Sequence, residues 1–311
     1  MSDGAGTATV PRVAAVDIII PTRDRPELTE RAIESVIAQT FTDWRLLVVD
    51  DGSSSGNLER LTEFCRKDSR IEVLKRTTSG GGPVARQTGL ESSSSDWIAI
   101  LDSDDRWLPR KLELQMAARD GFDIVLCWFA WIAPDGSVRV ERRLSGQGWV
   151  SPTLTNNHDV PLMRRTTLWH AGGFVADAAT PTRFDDNTDF FIRLLTSGRT
   201  TVVPETLVWC SDHPGLRDSD GVSQEAESLR SVVEARAAQL VPWPDASSEL
   251  YARVSARYFA RHEPRNGLNW AWRAVRIGSV GQRWASFRRS VPYGMRQIAG
   301  DIRKRPRDRQ G

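Results

Sequence analysis

The sequence predicts an α/β fold: a mostly parallel, Rossmann-type sheet flanked by helices, followed by a helical extension at the carboxyl end. Three observations carry this. Between residues 16 and 101, short runs of Val, Ile and Leu alternate with stretches whose apolar residues recur at helical spacing, the pattern of βαβ units joined by right-handed crossovers. Runs such as Arg45 to Asp51 (R-L-L-V-V-D-D) lack polar alternation, as strands covered by helices on both faces do. After Tyr251 the composition changes to arginine interleaved with aromatics, which sets the last segment apart.

The first residues, 1–13, show no charged start followed by an apolar core and read as a disordered leader rather than a signal peptide. Val16 to Pro21 (V-D-I-I-I-P) is a β-branched run stopped by proline, the first strand. Leu28, Ala32, Ile33, Val36 and Ile37 share one helical face. Arg45 to Asp51 is the second strand, Asn57 to Lys67 a helix, Ile71 to Leu74 a short third strand and Pro83 to Glu91 a helix. The next strand starts at Trp97 and runs through Ile98, Ile100 and Leu101, and a further helix is expected from Leu108. One large domain, 14–240, accounts for these elements. The region 241–311 reads as basic amphipathic helices, with Tyr251 to His262 and Leu268 to Ile277 separated at Pro264 and Gly267.

The segment W-I-A-I-L-D-S-D-D-R-W-L-P, Trp97 to Pro109, is where chemistry is expected. Its apolar run ends in Asp102, Asp104 and Asp105, and ligands of open α/β sheets collect outside the carboxyl ends of strands. Mg2+ and Mn2+ prefer oxygen ligands and are held by one or two carboxylates together with substrate phosphates. A D-S-D-D turn that caps the next helix is the other reading of these residues. Asp50 and Asp51 end the second strand in the same way, either to accept hydrogen bonds from a ribose or base or to make a turn with Gly52 and Ser53. The sequence contains no G-x-G-x-x-G and no phosphate-binding G-x-x-x-x-G-K-[ST] loop, so a metal would carry much of the phosphate charge. Thr78 to Val84 (T-S-G-G-G-P-V), followed by Arg86, is a glycine loop ahead of a helix, where backbone can approach a ligand or simply connect two elements.

These residues together resemble the family 2 inverting glycosyltransferases of the GT-A fold. The motifs I-I-I-P-T-R-D-R, S-V-I-A-Q-T-F-T-D-W, L-L-V-V-D-D-G-S, G-G-P-V-A-R-Q-T-G-L and the Trp97 segment occur in the family's order, collinear over about residues 14 to 215. The resemblance implies a GT-A-like domain with a nucleotide-binding half, 14–120, and an acceptor half, 121–240. It implies a nucleotide-diphosphate-sugar donor, a Mn2+ or Mg2+ ion, and direct transfer to an acceptor hydroxyl with inversion. By position, Asp51 resembles the nucleotide-contacting aspartate and Pro21 and Thr22 would line the base pocket. Arg25, Arg86, Asp102 and Ser103 would complete the nucleotide-sugar site. Asp102 and Asp104 resemble the D-x-D pair, with Asp104 the principal metal ligand.

The second half supplies the acceptor side of the resemblance. Pro161 to Phe174 is similar to the family's stretch before a Gly-Gly-Phe turn, and Phe184 to Gly198 (F-D-D-N-T-D-F-F-I-R-L-L-T-S-G) to its acidic helix. Inverting transfer needs a general base for the acceptor's proton. Counted back from Arg193, the usual Glu-Asp pair falls on Asp186 and Asn187, and an amide takes no proton at neutral pH. The base is then Asp186 or Asp185, or the protein transfers poorly; Asp189 is a third candidate, whose place in the motif favours a structural role. His213, in S-D-H-P-G, stands where many relatives carry a histidine near the metal or diphosphate, and neutral imidazole is a competent Mn2+ ligand.

Composition agrees with this reading. Cys65, Cys127 and Cys210 are far apart with no C-x-x-C spacing, so neither zinc nor a disulfide framework is indicated. No stretch reaches the roughly 18 uncharged apolar residues of a spanning helix. From Tyr251 onward, 14 Arg and one Lys face Glu263, Asp301 and Asp308, a net +12 in a chain whose total is +2. Tyr258, Phe259, Trp270, Trp272, Trp284, Phe287 and Tyr293 are interleaved with these arginines. Such helices suit an anionic membrane surface, or cover the catalytic domain with the arginines in water. The expected setting is cytoplasmic, peripheral at the inner face of the cell membrane on the first of these readings, with a glycan or glycolipid acceptor. Two other functions stay open: a sugar-nucleotide or polyanion binder that has lost its base, for which Asn187 speaks, and a nucleic-acid binder using the tail. The acidic edges of the first 215 residues argue against nucleic acid as the main partner.

Overall fold

A computed structural model of the chain describes residues 13–133, 135–142, 144, 157–175, 186–211, 221–261, 263–277 and 279. The leader, apart from residue 13, lies outside them, as do Trp284, Phe287 and Tyr293.

Strand β1 (Val16–Thr22) is buried along its whole length. Helix α1 (Pro26–Ile37) starts with Pro26, whose fixed φ suits a first turn, and turns Ala32, Ile33 and Val36 inward. Strand β2 (Trp44–Asp50), helix α2 (Ser55–Cys65), strand β3 (Ile71–Lys75), helix α3 (Gly82–Glu91) and strand β4 (Trp97–Ile100) follow in the expected alternation. The strands β3, β2, β1 and β4 lie side by side and parallel, with Ile18 opposite both Leu46 and Ala99. Their carboxyl ends therefore meet at one edge.

Helix α3 is pressed onto β1 at backbone distance. A Cβ at Gly89 would lie 2.5 Å from Ile19 Cγ2 and 3.0 Å from its Cγ1, and Ile19 is fully buried with no room to yield. Gly89→Ala is expected to destabilise the protein by about 1–3 kcal/mol through overpacking. Urea unfolding checks this, and a midpoint equal to that of the parent chain would contradict it.

Beyond β4 the sheet becomes mixed. A two-residue strand β5 (Arg106–Trp107) precedes helix α4 (Lys111–Ala117), which therefore starts later than the helix expected from Leu108. Leu108 donates its amide to Leu207 and is held by the sheet instead. Then come β6 (Ile124–Ile132), β7 (Val138–Arg142), β8 (Leu162–Arg164), α5 (Arg165–His170), α6 (Asp186–Ser197) and β9 (Thr200–Ser211). The strand order is β3-β2-β1-β4-β8-β6-β9-β5, with β7 on β6. Strand β8 runs antiparallel between β4 and β6, Leu162 facing Ala99 and Val125, whereas β6 and β9 are parallel. The parallel half matches the sequence reading; the antiparallel insertion was hidden because β8 is three residues long and follows Pro161.

The remaining helices are α7 (Gly221–Ala235), α8 (Ala237–Leu240), α9 (Pro244–Ala260) and α10 (Pro264–Arg276). They build a second apolar cluster, with Leu229, Val233, Leu250, Val254, Tyr258 and Trp270 packed around Ile192 of α6. Pro264 opens α10 rather than separating two helices, and Gly267 lies inside it. Proline is compatible with a first turn, and a Cβ at Gly267 would stand 2.9 Å from the Phe259 ring, so the glycine lets α9 and α10 close together. Among the described residues no helix is long and apolar enough to cross a membrane.

Candidate functional site

A cavity of about 370 Å3 opens at the carboxyl edge of β1, β2 and β4, beside the first turn of α3. Its lining includes Pro21 and Thr22 at the end of β1 and Arg25 after it, Asp51 after β2, Arg86 on α3, and Asp102, Ser103 and Asp104 after β4. The structure thus brings these sequence-selected residues from four separate segments to one wall. Arg23, Ser79, Gly81, Gly82 and Ala85 complete it. The Thr22 hydroxyl is already engaged, 2.6 Å from that of Thr29 on α1.

Asp51 is occupied by the chain itself. Its carboxylate accepts hydrogen bonds from the amides of Gly80 (3.0 Å) and Gly81 (2.8 Å), the Ser79 hydroxyl (2.7 Å) and Arg76 Nε (2.8 Å). Burial by itself would raise this carboxyl, but the Gly80 amide, Ser79, Gly81 and Arg76 outweigh it and hold it below its ordinary value. Asp51 therefore shapes the glycine loop, which includes Gly81 at φ +82°, before it can offer an oxygen to a ligand. Arg76 was not picked out from the sequence. Its signal was positional, since it directly follows β3 at the same edge.

The D-S-D-D turn is pinned from both sides. Arg86 Nη2 donates to Asp102 Oδ1 (2.6 Å), and Arg25 Nη1 to Asp104 Oδ2 (3.1 Å). The pair Arg106 and Trp107 is zipped to the far end of β9, which carries Ser211 to the turn. There Ser211 donates its amide to Asp105 (2.8 Å) and its hydroxyl to the Asp104 carbonyl (2.6 Å). From the other side, Asp159 accepts the Asp102 amide.

Below the turn, Asp105, Asp159 and Cys210 are buried with one oxygen or sulfur each within 4.8 Å of one another. Burial, and then the charges of Asp102 and Asp105, push the Asp159 carboxyl well above the carboxylate range. Burial also lifts Asp105 to about 7. Burial, then Asp105, raises the Cys210 thiol well up, and Asn157 Nδ2 donates to its sulfur at 2.7 Å. The folded protein thus holds protons here that the unfolded chain releases. This contribution to stability is complete below the ordinary carboxylate pKa and is lost as pH rises toward about 7. In metal-free protein, Asp159→Asn is expected to flatten the fall in melting temperature between about pH 5 and pH 8. A fall as steep as in the parent chain would count against this assignment.

The two acidic sets differ as cation hosts. Asp102 and Asp104 offer hard carboxylate oxygens at the cavity wall, with side chains 30% and 23% exposed, which fits Mg2+ or Mn2+. The deeper trio offers a thiol and carboxyls whose protons burial retains, a poor match for either ion. Asp159 gave no sequence signal, lying in N-H-D-V-P without an apolar strand before it.

The residues considered for a base lie on or before α6. Asp186 begins this helix and Asn187 follows at intermediate exposure; Asp185 and His213 lie outside the described residues. Asp189 is fully buried, accepting from Arg193 Nε (2.7 Å) and Arg236 Nε (2.7 Å). Arg193 also donates to the carbonyls of Ala171 and Gly173, which ties the G-G-F turn to α6. His158, also missed, is buried among Phe174, Phe190 and Phe191, its ring 4.8 Å from that of Phe190. Burial, with Arg86 and Arg193 nearby, holds its imidazole well below its ordinary pKa, in the neutral form.

Comparison with known proteins agrees with this architecture. The family model described as glycosyl transferase family 2 matches residues 17–181. The Escherichia coli UDP-Glc:alpha-D-GlcNAc-diphosphoundecaprenol beta-1,3-glucosyltransferase WfgD is 41% identical over 102 residues, 33% of this chain and 40% of WfgD. The succinoglycan biosynthesis protein ExoW of Rhizobium meliloti is 35% identical over 119 residues, 37% of either protein. The chain thus matches less than half the length of these relatives. Among solved structures, S. aureus TarS 1-349 in complex with UDP-GlcNAc superposes with a TM-score of 0.62 at 14% identity, covering 94% of this chain and 93% of that one. The Pyrobaculum calidifontis mannosyltransferase PcManGT, in complex with GDP-Man and Mn2+, gives a TM-score of 0.57 at 16% identity, covering 94% and 87%. With more than half of its length matched by the family model and its acidic turn set at the edge of a mixed α/β sheet, the chain belongs to glycosyl transferase family 2.

Proposed function

We propose that the protein moves a sugar from a nucleoside-diphosphate sugar to a hydroxyl of a glycan or lipid-linked glycan, with inversion at the anomeric carbon. The observation that carries this reading is the convergence of Arg25, Asp51, Arg86, Asp102 and Asp104 on one cavity at the carboxyl edge of the parallel strands. Asp104 and Asp102 are the residues that would hold Mn2+ or Mg2+, which when bound supplies positive charge for a departing diphosphate. Arg25 and Arg86 add planar cationic groups suited to phosphate oxygens. Pro21, Thr22 and Ser103 bound the space for the nucleotide and sugar.

In the transfer, the acceptor oxygen forms a bond to the anomeric carbon while the bond from that carbon to the diphosphate oxygen breaks, its electron pair leaving with the diphosphate. The acceptor's proton passes to a carboxylate. Asp186 is the assigned base, Asp185 the alternative, and Asn187 serves as a hydrogen-bonding partner for the acceptor. The relatives' names support the acceptor class: WfgD carries a diphosphoundecaprenol-linked acceptor in its name, and ExoW belongs to succinoglycan biosynthesis.

Asn187 favours a second reading, a sugar-nucleotide-binding protein without turnover. A panel of UDP-, GDP- and dTDP-sugars with Mn2+ distinguishes the two by release of nucleoside diphosphate. Asn187→Asp is expected to raise turnover about tenfold or more, and Asp186→Asn to lower it about a hundredfold. Binding of a donor with no turnover in the parent chain or in Asn187→Asp would replace the transferase reading by the binder.

A further inference from the structure

We propose that the outer face of α10 is a docking surface for an anionic lipid bilayer. The helix, P-R-N-G-L-N-W-A-W-R-A-V-R, contains three arginines and no acidic residue. Its inner face is spent on protein: Trp270, Ala271 and Ala274 are buried, and Trp270 meets the Tyr251 ring edge-on at 5.2 Å. The outer face is different. Leu268 is 50% exposed and Trp272 64% exposed, one turn apart on the same side of the helix. Arg265 and Arg276 continue that stripe at helical spacing, and the Arg276 guanidinium lies 6.0 Å from the Trp272 ring centre.

Exposed Leu and Trp flanked by arginines match the boundary of an anionic bilayer, where the apolar side chains enter the acyl edge and the guanidinium groups stay with the headgroups. Charge complementarity selects this occupant. Between Tyr251 and Ile277 six arginines stand against one acidic residue, Glu263, a local excess of positive charge that an anionic surface matches. Two apolar side chains make a small anchor, so docking is reversible, needs anionic lipid and weakens with salt. The inference stands apart from the transferase reading: vesicle binding and donor turnover are separate measurements, and either can fail alone.

The test is co-sedimentation of the full chain with phosphatidylglycerol vesicles and with phosphatidylcholine vesicles. The parent chain is expected to sediment with the first and stay in solution with the second. The double variant Leu268→Ser with Trp272→Ser removes exposed side chains only and is expected to keep the parent's melting temperature. Its partition onto anionic vesicles should fall by at least about tenfold. Arg265→Gln with Arg276→Gln should weaken binding at low salt and reduce its salt dependence. Failure of the parent chain to bind anionic vesicles overturns the proposal. So does undiminished binding by the double variant, which would assign attachment to another part of the chain. Retention on single-stranded RNA that the double variant loses, without any vesicle binding, would assign the face to nucleic acid and equally overturn it.

Discussion

Asp104→Ala is expected to lower turnover about a thousandfold while leaving KM for the nucleotide sugar within a few-fold of the parent value, the pattern of an interaction made mainly in the transition state. The reason is local. Asp104 presents its carboxylate at the cavity wall and has Arg25 as its ion-pair partner at 3.1 Å. Removing it takes away the proposed cation ligand and leaves the Arg25 guanidinium without this counter-charge, so attraction for a diphosphate survives in part. The loss should therefore fall on kcat. Initial rates over a range of Mn2+ concentrations check it, together with a Mn2+ titration followed by electron paramagnetic resonance. A variant that turns over within threefold of the parent chain, or binds Mn2+ equally well, would remove Asp104 from the role proposed above.

Asp189→Ala is expected to cost about 3–5 kcal/mol of stability, the penalty of leaving buried charge without its partner. Asp189 is fully buried between Arg193 and Arg236, whose side chains are only 7% and 12% exposed. Arg193 cannot turn outward to water without giving up its bonds to the Ala171 and Gly173 carbonyls. Urea unfolding measures the loss, and a change below about 1 kcal/mol would show that the two arginines find other partners. Because Asp189 lies on α6 within one turn of Asp186 and Asn187, the same substitution should loosen the helix proposed to present the base. The link to Arg236 also means that the segment after α7 helps to hold α6.

In the first hundred residues legibility followed length and periodicity, whereas the longer strands β6 and β9 were not assigned from the sequence. The strands β1, β2 and β4 were readable because Val16, Ile18, Leu46, Val48, Ile98 and Ile100 belong to unbroken buried runs, and the helices between them because their apolar faces repeat. Strands β5 and β8 were not, because two or three residues carry no period and their partners lie far along the chain. The same division runs through the site. Residues at the ends of long strands could be placed at one edge in advance. Asp159 and His158 could not, since their positions depend on the pairing of β8 with β4 and β6. The C-terminal aromatics show a further limit. Tyr258, Phe259 and Trp270 are buried whereas Trp272 is exposed, and alternation of arginine with aromatics does not say which ring faces which way.

The clamp of Asp51 on the amides of Gly80 and Gly81 has a thermodynamic consequence for recognition. Three consecutive glycines, Gly80 to Gly82, have many accessible conformations when untethered, and a guest that had to order them would lose affinity to that ordering. Here the ordering is completed as the chain folds, so the entropy is lost once, before any guest arrives. Cutting that tether with Asp51→Ala would shift the loss to the moment of encounter.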